Sequence, residues 1–113
     1  MKRLLTLACT ALVALPVFSL HASTVDYINV EADVLYFSIN SSKTEASPEC
    51  VSVATNNRWA VALSTRSGQM MYATLLTAVA NQLSVEVKTA GDCKHAPGIE
   101  RPRSVALIAD QEP

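Results

Sequence analysis

Residues 59–88 read WAVALSTRSGQMMYATLLTAVANQLSVEVK, and the change of period inside this stretch decides the fold. Trp59, Val61 and Leu63 alternate with Ala60, Ala62 and Ser64, the period of two expected of a half-buried strand. Met71, Leu75 and Val79 then recur every four residues, flanked by Tyr72, Leu76 and Ala78, which gives one broad apolar helical face. Met71 reads as core and Met70 as the edge of that face. Ser64 and Thr65 offer hydroxyls to cap the free N–H groups at the helix start, and Asn81 is a natural left-handed terminator. Leu83, Val85 and Val87 next alternate with Ser84, Glu86 and Lys88, a second strand with one apolar and one charged face. Trp59, Met71, Leu75, Val79, Val85 and Val87 are therefore the expected structural core, with Trp59 as a core or barrel-end plug. A ligand-stacking role is the alternative for that single tryptophan.

Upstream, residues 25–30 hold Tyr27, Ile28 and Val30, and residues 34–39 hold Val34, Tyr36 and Phe37, so both favour extension. Glu31-Ala32-Asp33 between them is either a tight connection or, for want of glycine, a bulge in one long strand. Residues 40–49 are polar and read as a loop. Residues 50–54 have the composition to extend a strand before Asn56-Asn57 interrupts it. Downstream, Gly91-Asp92 signals a turn, residues 94–103 form a loop with Pro97-Gly98 and Pro102, and residues 104–109 suit a last strand. The order is β-β-β-α-β-β. It matches a β-rich chain with one α-helix, a five-stranded Greek-key barrel of the OB-fold type whose helix lies between the third and fourth strands. Closure removes the two exposed edges that an open sheet of short strands would leave.

The first 22 residues stand apart. Lys2 and Arg3 precede an apolar run interrupted by Thr6, Cys9 and Thr10. Pro16 breaks that run, and Leu20-His21-Ala22 offers a cleavage site. This is the layout of an export signal, residues 1–22, ahead of one barrel domain, residues 23–113. The run is too short to span a bilayer, so no membrane insertion is expected. Cys9 follows Leu7-Ala8 with almost no hydrophobic stretch before it, which disfavours a lipid anchor. The chain has 9 basic and 10 acidic residues, and the signal removes Lys2 and Arg3, leaving 7 against 10. A net charge of about −3 without any basic stripe argues against a nucleic-acid partner.

Cys50 and Cys93 are the only cysteines outside the signal. In an exported chain of this size two thiols allow one intramolecular pairing, and such a bridge is expected; two buried reduced thiols are the alternative. The pair lacks the Cys-x-x-Cys spacing of a redox site. Once His21 leaves with the signal, His95 is the remaining histidine. It stands in a loop beside Lys94 and Pro97 and reads as solvated, so neither a zinc site nor any other metal site is expected. No glycine-rich phosphate loop and no nucleophile–base constellation occurs, and Glu31 with Asp33 reads as solvated surface. No enzyme activity and no cofactor are expected.

The run Asn57-Arg58-Trp59, Leu63-Ser64-Thr65, Gly68, Met71, Leu75, Ala78, Val85, Val87 and Gly91-Asp92-Cys93 resembles a group of small exported proteobacterial OB-fold proteins. The group is similar in layout to the binding (B) subunit of subtilase cytotoxin and, more distantly, to toxin B subunits that assemble as five around one A chain. The match covers about residues 50–93 in motif. Arg66 stands where relatives carry proline, and Glu100 is the nearest counterpart of a relative's acidic residue. The resemblance implies a secreted or periplasmic binding module, a glycan or protein partner, and assembly into a homo-oligomer such as a pentamer. A sugar site needs an exposed aromatic platform with polar neighbours, and Tyr27 or Tyr36 with Asn29 or Ser38 are the candidates. The alternative reading is a periplasmic structural or interaction protein acting through oligomerisation or partner binding.

Overall fold

The first hairpin turns on two residues that both take the left-handed backbone. Ala32 (φ 49°) and Asp33 (φ 62°) connect β1 (Val25–Glu31) to β2 (Val34–Ile39), and Glu31 stands opposite Val34. A two-residue turn with positive φ at both positions matches the twist of the strands it joins. It forms here without glycine, so the segment is a hairpin and not a bulge in one strand. A register shift does occur earlier, between Val25 and Tyr27. The computed structural model describes residues 23–109; the expected export signal lies outside them.

β2 pairs antiparallel with β3 (Arg58–Ala62), giving a three-stranded sheet in the order β1-β2-β3. Leu35 faces Val61 and Phe37 faces Trp59 across the β2–β3 ladder, so these four share one face. All four are buried, and the Phe37 and Trp59 rings lie 6.4 Å apart at 16°. Each such side chain removed from water contributes roughly 1.5–3 kcal/mol. β4 (Ser84–Thr89) and β5 (Pro102–Ile108) form a separate antiparallel pair. The core is the space between the two sheets and the helix: Leu35, Phe37, Trp59, Val61, Leu75, Ala78 and Val85, with Met71 and Val87 half-buried against them.

The helix α1 (Arg66–Asn81) starts where β3 ends. Thr65 Oγ1 accepts from the Gly68 N–H at 2.9 Å and donates to the Ala62 carbonyl at 3.0 Å, so Thr65 and not Ser64 is the cap. A Cβ on Gly68 would lie 2.0 Å from that same carbonyl oxygen, and only glycine lets the helix leave the strand this closely. Gln82 (φ 53°), one residue past Asn81, makes the left-handed stop and returns its N–H to Ala78 and Val79. The buried helix face is Gly68, Leu75 and Ala78. Val79 is 46 % exposed and is not core. Each four-residue step overshoots a full turn by about 40°, so the run Met71, Leu75, Val79 walks off the face that Ala78 keeps.

Residues 50–54 do not extend a strand. They turn through Cys50 into a 3₁₀ turn, Val53–Thr55. The Cys50–Cys93 disulfide (Cα–Cα 6.0 Å) holds this segment against the loop after β4. The Ser52 N–H and the Thr55 hydroxyl both donate to the Gly98 carbonyl, at 3.0 and 2.7 Å. These ties satisfy the backbone that a sheet edge would otherwise have engaged.

The expected closed barrel is not what the ladders form. The two sheets meet at two seams, Val85 N–H to the Ser23 carbonyl (2.9 Å) and Ala60 N–H to the Glu100 carbonyl (3.0 Å). Both seams use residues just outside a strand of one partner, so neither grows into a ladder. Among the described residues no helix is long and apolar enough to cross a membrane.

Candidate functional site

The four residues expected to bind a ligand come together on the face of the three-stranded sheet opposite the core. Tyr27 stands across from Ser38, Asn29 across from Tyr36, and on β3 Arg58 follows Ser38 and Ala60 follows Tyr36. Paired residues of neighbouring strands share a face, so the four form one patch. Their environments differ. Asn29 is exposed. Tyr27 is half-buried, with the Arg58 guanidinium 4.5 Å from its ring centre. Tyr36 packs beside Val34 on a small second cluster of Ala60, Ala96 and Ile99. Ser38 is buried, and its hydroxyl donates to Asp26 Oδ1 at 2.5 Å. That hydroxyl is already engaged, so Ser38 helps to shape the patch while Tyr27, Asn29 and Tyr36 border solvent.

A second site was not legible in the sequence. Loop 40–49 roofs a cleft of ≈ 160 Å³ between the sheets. Lys43 points into it, donating to Glu100 Oε1 (2.9 Å) and to the Arg58 carbonyl (2.7 Å) with its Nζ 4.2 Å above the Trp59 ring. Glu100 is 1 % exposed. Such a charge is rarely buried without a partner, and Lys43 is that partner. The two residues lie 57 positions apart, and neither local period nor spacing marks them. The buried Trp59 Nε1–H and Ser84 hydroxyl make no hydrogen bond to another described protein group.

His95 is half-buried, and one of its ring nitrogens is engaged by the backbone. The Ala62 N–H donates to its Nδ1 at 2.9 Å, which fixes the neutral ring with its proton on Nε2. Burial pushes its pKa below the usual value, and the Arg101 and Lys94 charges push the same way. Arg101 forks onto Asp92, Nε to Oδ1 at 2.8 Å and the terminal nitrogen to Oδ2 at 2.6 Å. That pairing lowers the Asp92 carboxyl to about 2. The pair is partly exposed and pins the loop beside Cys93; an ion pair in such a setting contributes under about 1 kcal/mol. Among the described residues no three His, Cys, Asp or Glu side chains gather into a metal-binding group.

Compared with known proteins, the chain matches no protein family, no curated protein and no solved structure.

Proposed function

We propose that the chain is an exported, non-enzymatic binding module of OB-fold type, like a toxin B subunit, and that it recognises a glycan. Support for the OB reading comes from the cyclic order of contacts: β1-β2-β3, then the Glu100 seam to β5, then β4, then the Ser23 seam back to β1. That cyclic order, with the helix between β3 and β4, is the order of an OB-type barrel, and it supports this reading although the two sheets stay separate. The Cys50–Cys93 bridge suits an oxidising compartment outside the cytoplasm.

The observation that carries the glycan reading is the clustering of Tyr27, Asn29 and Tyr36 in adjacent register positions on one solvent-bordering face. Tyrosine rings offer an apolar surface to sugar C–H groups, and Asn29 supplies both a donor and an acceptor. Arg58 flanks the patch with a charge. On a glycan array the wild-type protein binds a defined set of sugars, and Tyr27→Ala and Tyr36→Ala each reduce that binding by about tenfold, the loss of one stacking or hydrogen-bonding contact. Unchanged binding by both variants refutes this site.

A second reading, a periplasmic interaction protein acting through self-assembly, is favoured by the outer side of α1. Met70, Leu76 and Val79 are 63 %, 44 % and 46 % exposed on one helix. Light scattering that finds only monomer at high concentration refutes the homo-oligomer, pentamer or otherwise.

A further inference from the structure

The innermost part of the roofed cleft is a cage around a single ammonium group. Glu100 offers a carboxylate oxygen at 2.9 Å, Arg58 a carbonyl oxygen at 2.7 Å, and Trp59 its ring at 4.2 Å. A carboxylate, a carbonyl and an indole face together replace the water that an alkylammonium loses on burial. All three partners belong to the framework: Arg58 and Trp59 are on β3, and Glu100 is joined to β3 through its own carbonyl and the Ala60 N–H.

The occupant is attached differently. Lys43 is carried by loop 40–49, whose other ties are polar: the Asn40 N–H to the Thr24 carbonyl (3.0 Å), the Thr24 N–H to Asn40 Oδ1 (3.0 Å), Ser41 Oγ with Ser23 Oγ (2.8 Å), and the Thr89 N–H to Glu45 Oε1 (3.3 Å). The cage is thus built into the sheet, and the group filling it rides on a segment held by a few exchangeable bonds. Charge adds a selection rule. The cleft is lined by Lys43 and by Glu45, Glu86 and Glu100. With Lys43 withdrawn, three carboxylates line it and, among the described residues, no cation does, which favours a cation over a neutral sugar or an anion. Two of the cage contacts are hydrogen bonds, so the cation must carry N–H groups. Ile39, Val85, Val87 and Ile108 line the remainder and suit a short alkyl chain. With Lys43 in place the cleft still measures ≈ 160 Å³, less than pockets that enclose whole drug-sized ligands, which leaves room beside the ammonium group for a short chain.

We propose that the cage of Arg58, Trp59 and Glu100 is a binding site for small primary alkylamines, that Lys43 is its resident occupant, and that loop 40–49 lifts when a ligand amine takes Lys43's place. The inference is independent of the glycan reading: the two share only Arg58, whose carbonyl enters the cage while its guanidinium lies on Tyr27.

Trp59 is the chain's only tryptophan and sits in the cage, so its fluorescence reports occupancy directly. The probe is n-butylammonium chloride, compared with tetramethylammonium chloride at matched ionic strength. Butylammonium changes the Trp59 signal saturably in the wild type. It acts at about tenfold lower concentration in Lys43→Met, because a tethered competitor has been removed. Tetramethylammonium, which cannot donate, has no saturable effect, and adding Glu100→Gln to Lys43→Met weakens butylammonium binding at least tenfold. A flat signal in folded Lys43→Met, or an equal response to both cations, overturns the proposal. Should Lys43→Met not fold, the wild type decides by NMR. The Lys43 methylene resonances, shifted by the Trp59 ring, move toward free-lysine positions as butylammonium is added. If they stay in place while the ligand is raised to about 100 mM, well past a weak millimolar affinity, the site does not exist.

Discussion

Two parts of the molecule are held together by different means. Residues 59–88 carry their structure in their own period: a strand, a capped helix and a second strand, each with an apolar face that meets the same core. Residues 40–57 and 89–101 have no such period. They are held by single connections between distant positions: the disulfide, Lys43 to Glu100, Thr55 to Gly98, the Ala62 N–H to His95, and Arg101 to Asp92. The first part gains stability from area buried, which is shared among many contacts. The second depends on individual bonds, so the loss of one is felt locally and in full.

Removing the disulfide has the largest expected effect. Closing a 43-residue separation restricts the unfolded chain by about 4 kcal/mol on the chain-entropy account. Cys50→Ala with Cys93→Ala should lower stability by about that amount in denaturant unfolding. Hydrogen exchange should also rise first in 48–57 and 92–101, while α1 stays protected. Uniform loss of protection in both parts would erase the distinction between them.

Gly68→Ala tests the patterned part. The added methyl meets the Ala62 carbonyl at 2.0 Å, so strand and helix must move apart, at a cost of about 3 kcal/mol. Here protection should fall in β3, α1 and β4 together, because the damage spreads through a shared core. A crystal structure of the variant with the β3–α1 junction unmoved would contradict this account.

Acid should separate the two parts most gently. The folded chain resists protonation of His95, whose pKa is held below 6.5, and of Asp92, lowered from 3.8 to about 2. The unfolded chain therefore binds more protons in both windows, and stability falls as pH falls. The His95 contribution is present above about pH 6.5 and fades below it; that of Asp92 is present above about pH 4 and is lost toward pH 2. Protonated His95 can no longer accept from the Ala62 N–H. NMR at pH 7 and pH 5 should show the Ala62 amide and the 92–101 loop shifting while helix resonances hold still. Stability that rises between those pH values would refute the neutral-His95 assignment.

The same division explains what the sequence made legible. Element order, the extents of β1 and β2, the helix start and the cysteine pairing follow from local period, cap chemistry and a count of thiols; the choice between a turn and a bulge at residues 31–33 does not, because the left-handed turn there forms without glycine. Val79 was misplaced because a strict four-residue repeat drifts around a helix of 3.6 residues per turn. The engagement of His95 is not legible, because its partner is a backbone N–H 33 residues away, which no side-chain pattern announces. The tyrosine patch was readable because alternation on two adjacent strands fixes faces. The Lys43 cage was not, because a polar loop and a lone glutamate look like solvated surface until the chain brings them together.

The bridge between Cys50 and Cys93 also rewrites distance along the chain. Lys43 precedes Cys50 by as many positions as Glu100 follows Cys93. In the reduced chain these charges are separated by 57 residues. Once the sulfurs are joined, the shortest covalent route between them is only about 15 residues, which lowers the entropy cost of bringing them together by roughly 1 kcal/mol. The bridge thus turns a remote encounter in the unfolded chain into a near-neighbour one, and a chain that joins its sulfurs first reaches the Lys43–Glu100 contact more easily by that amount.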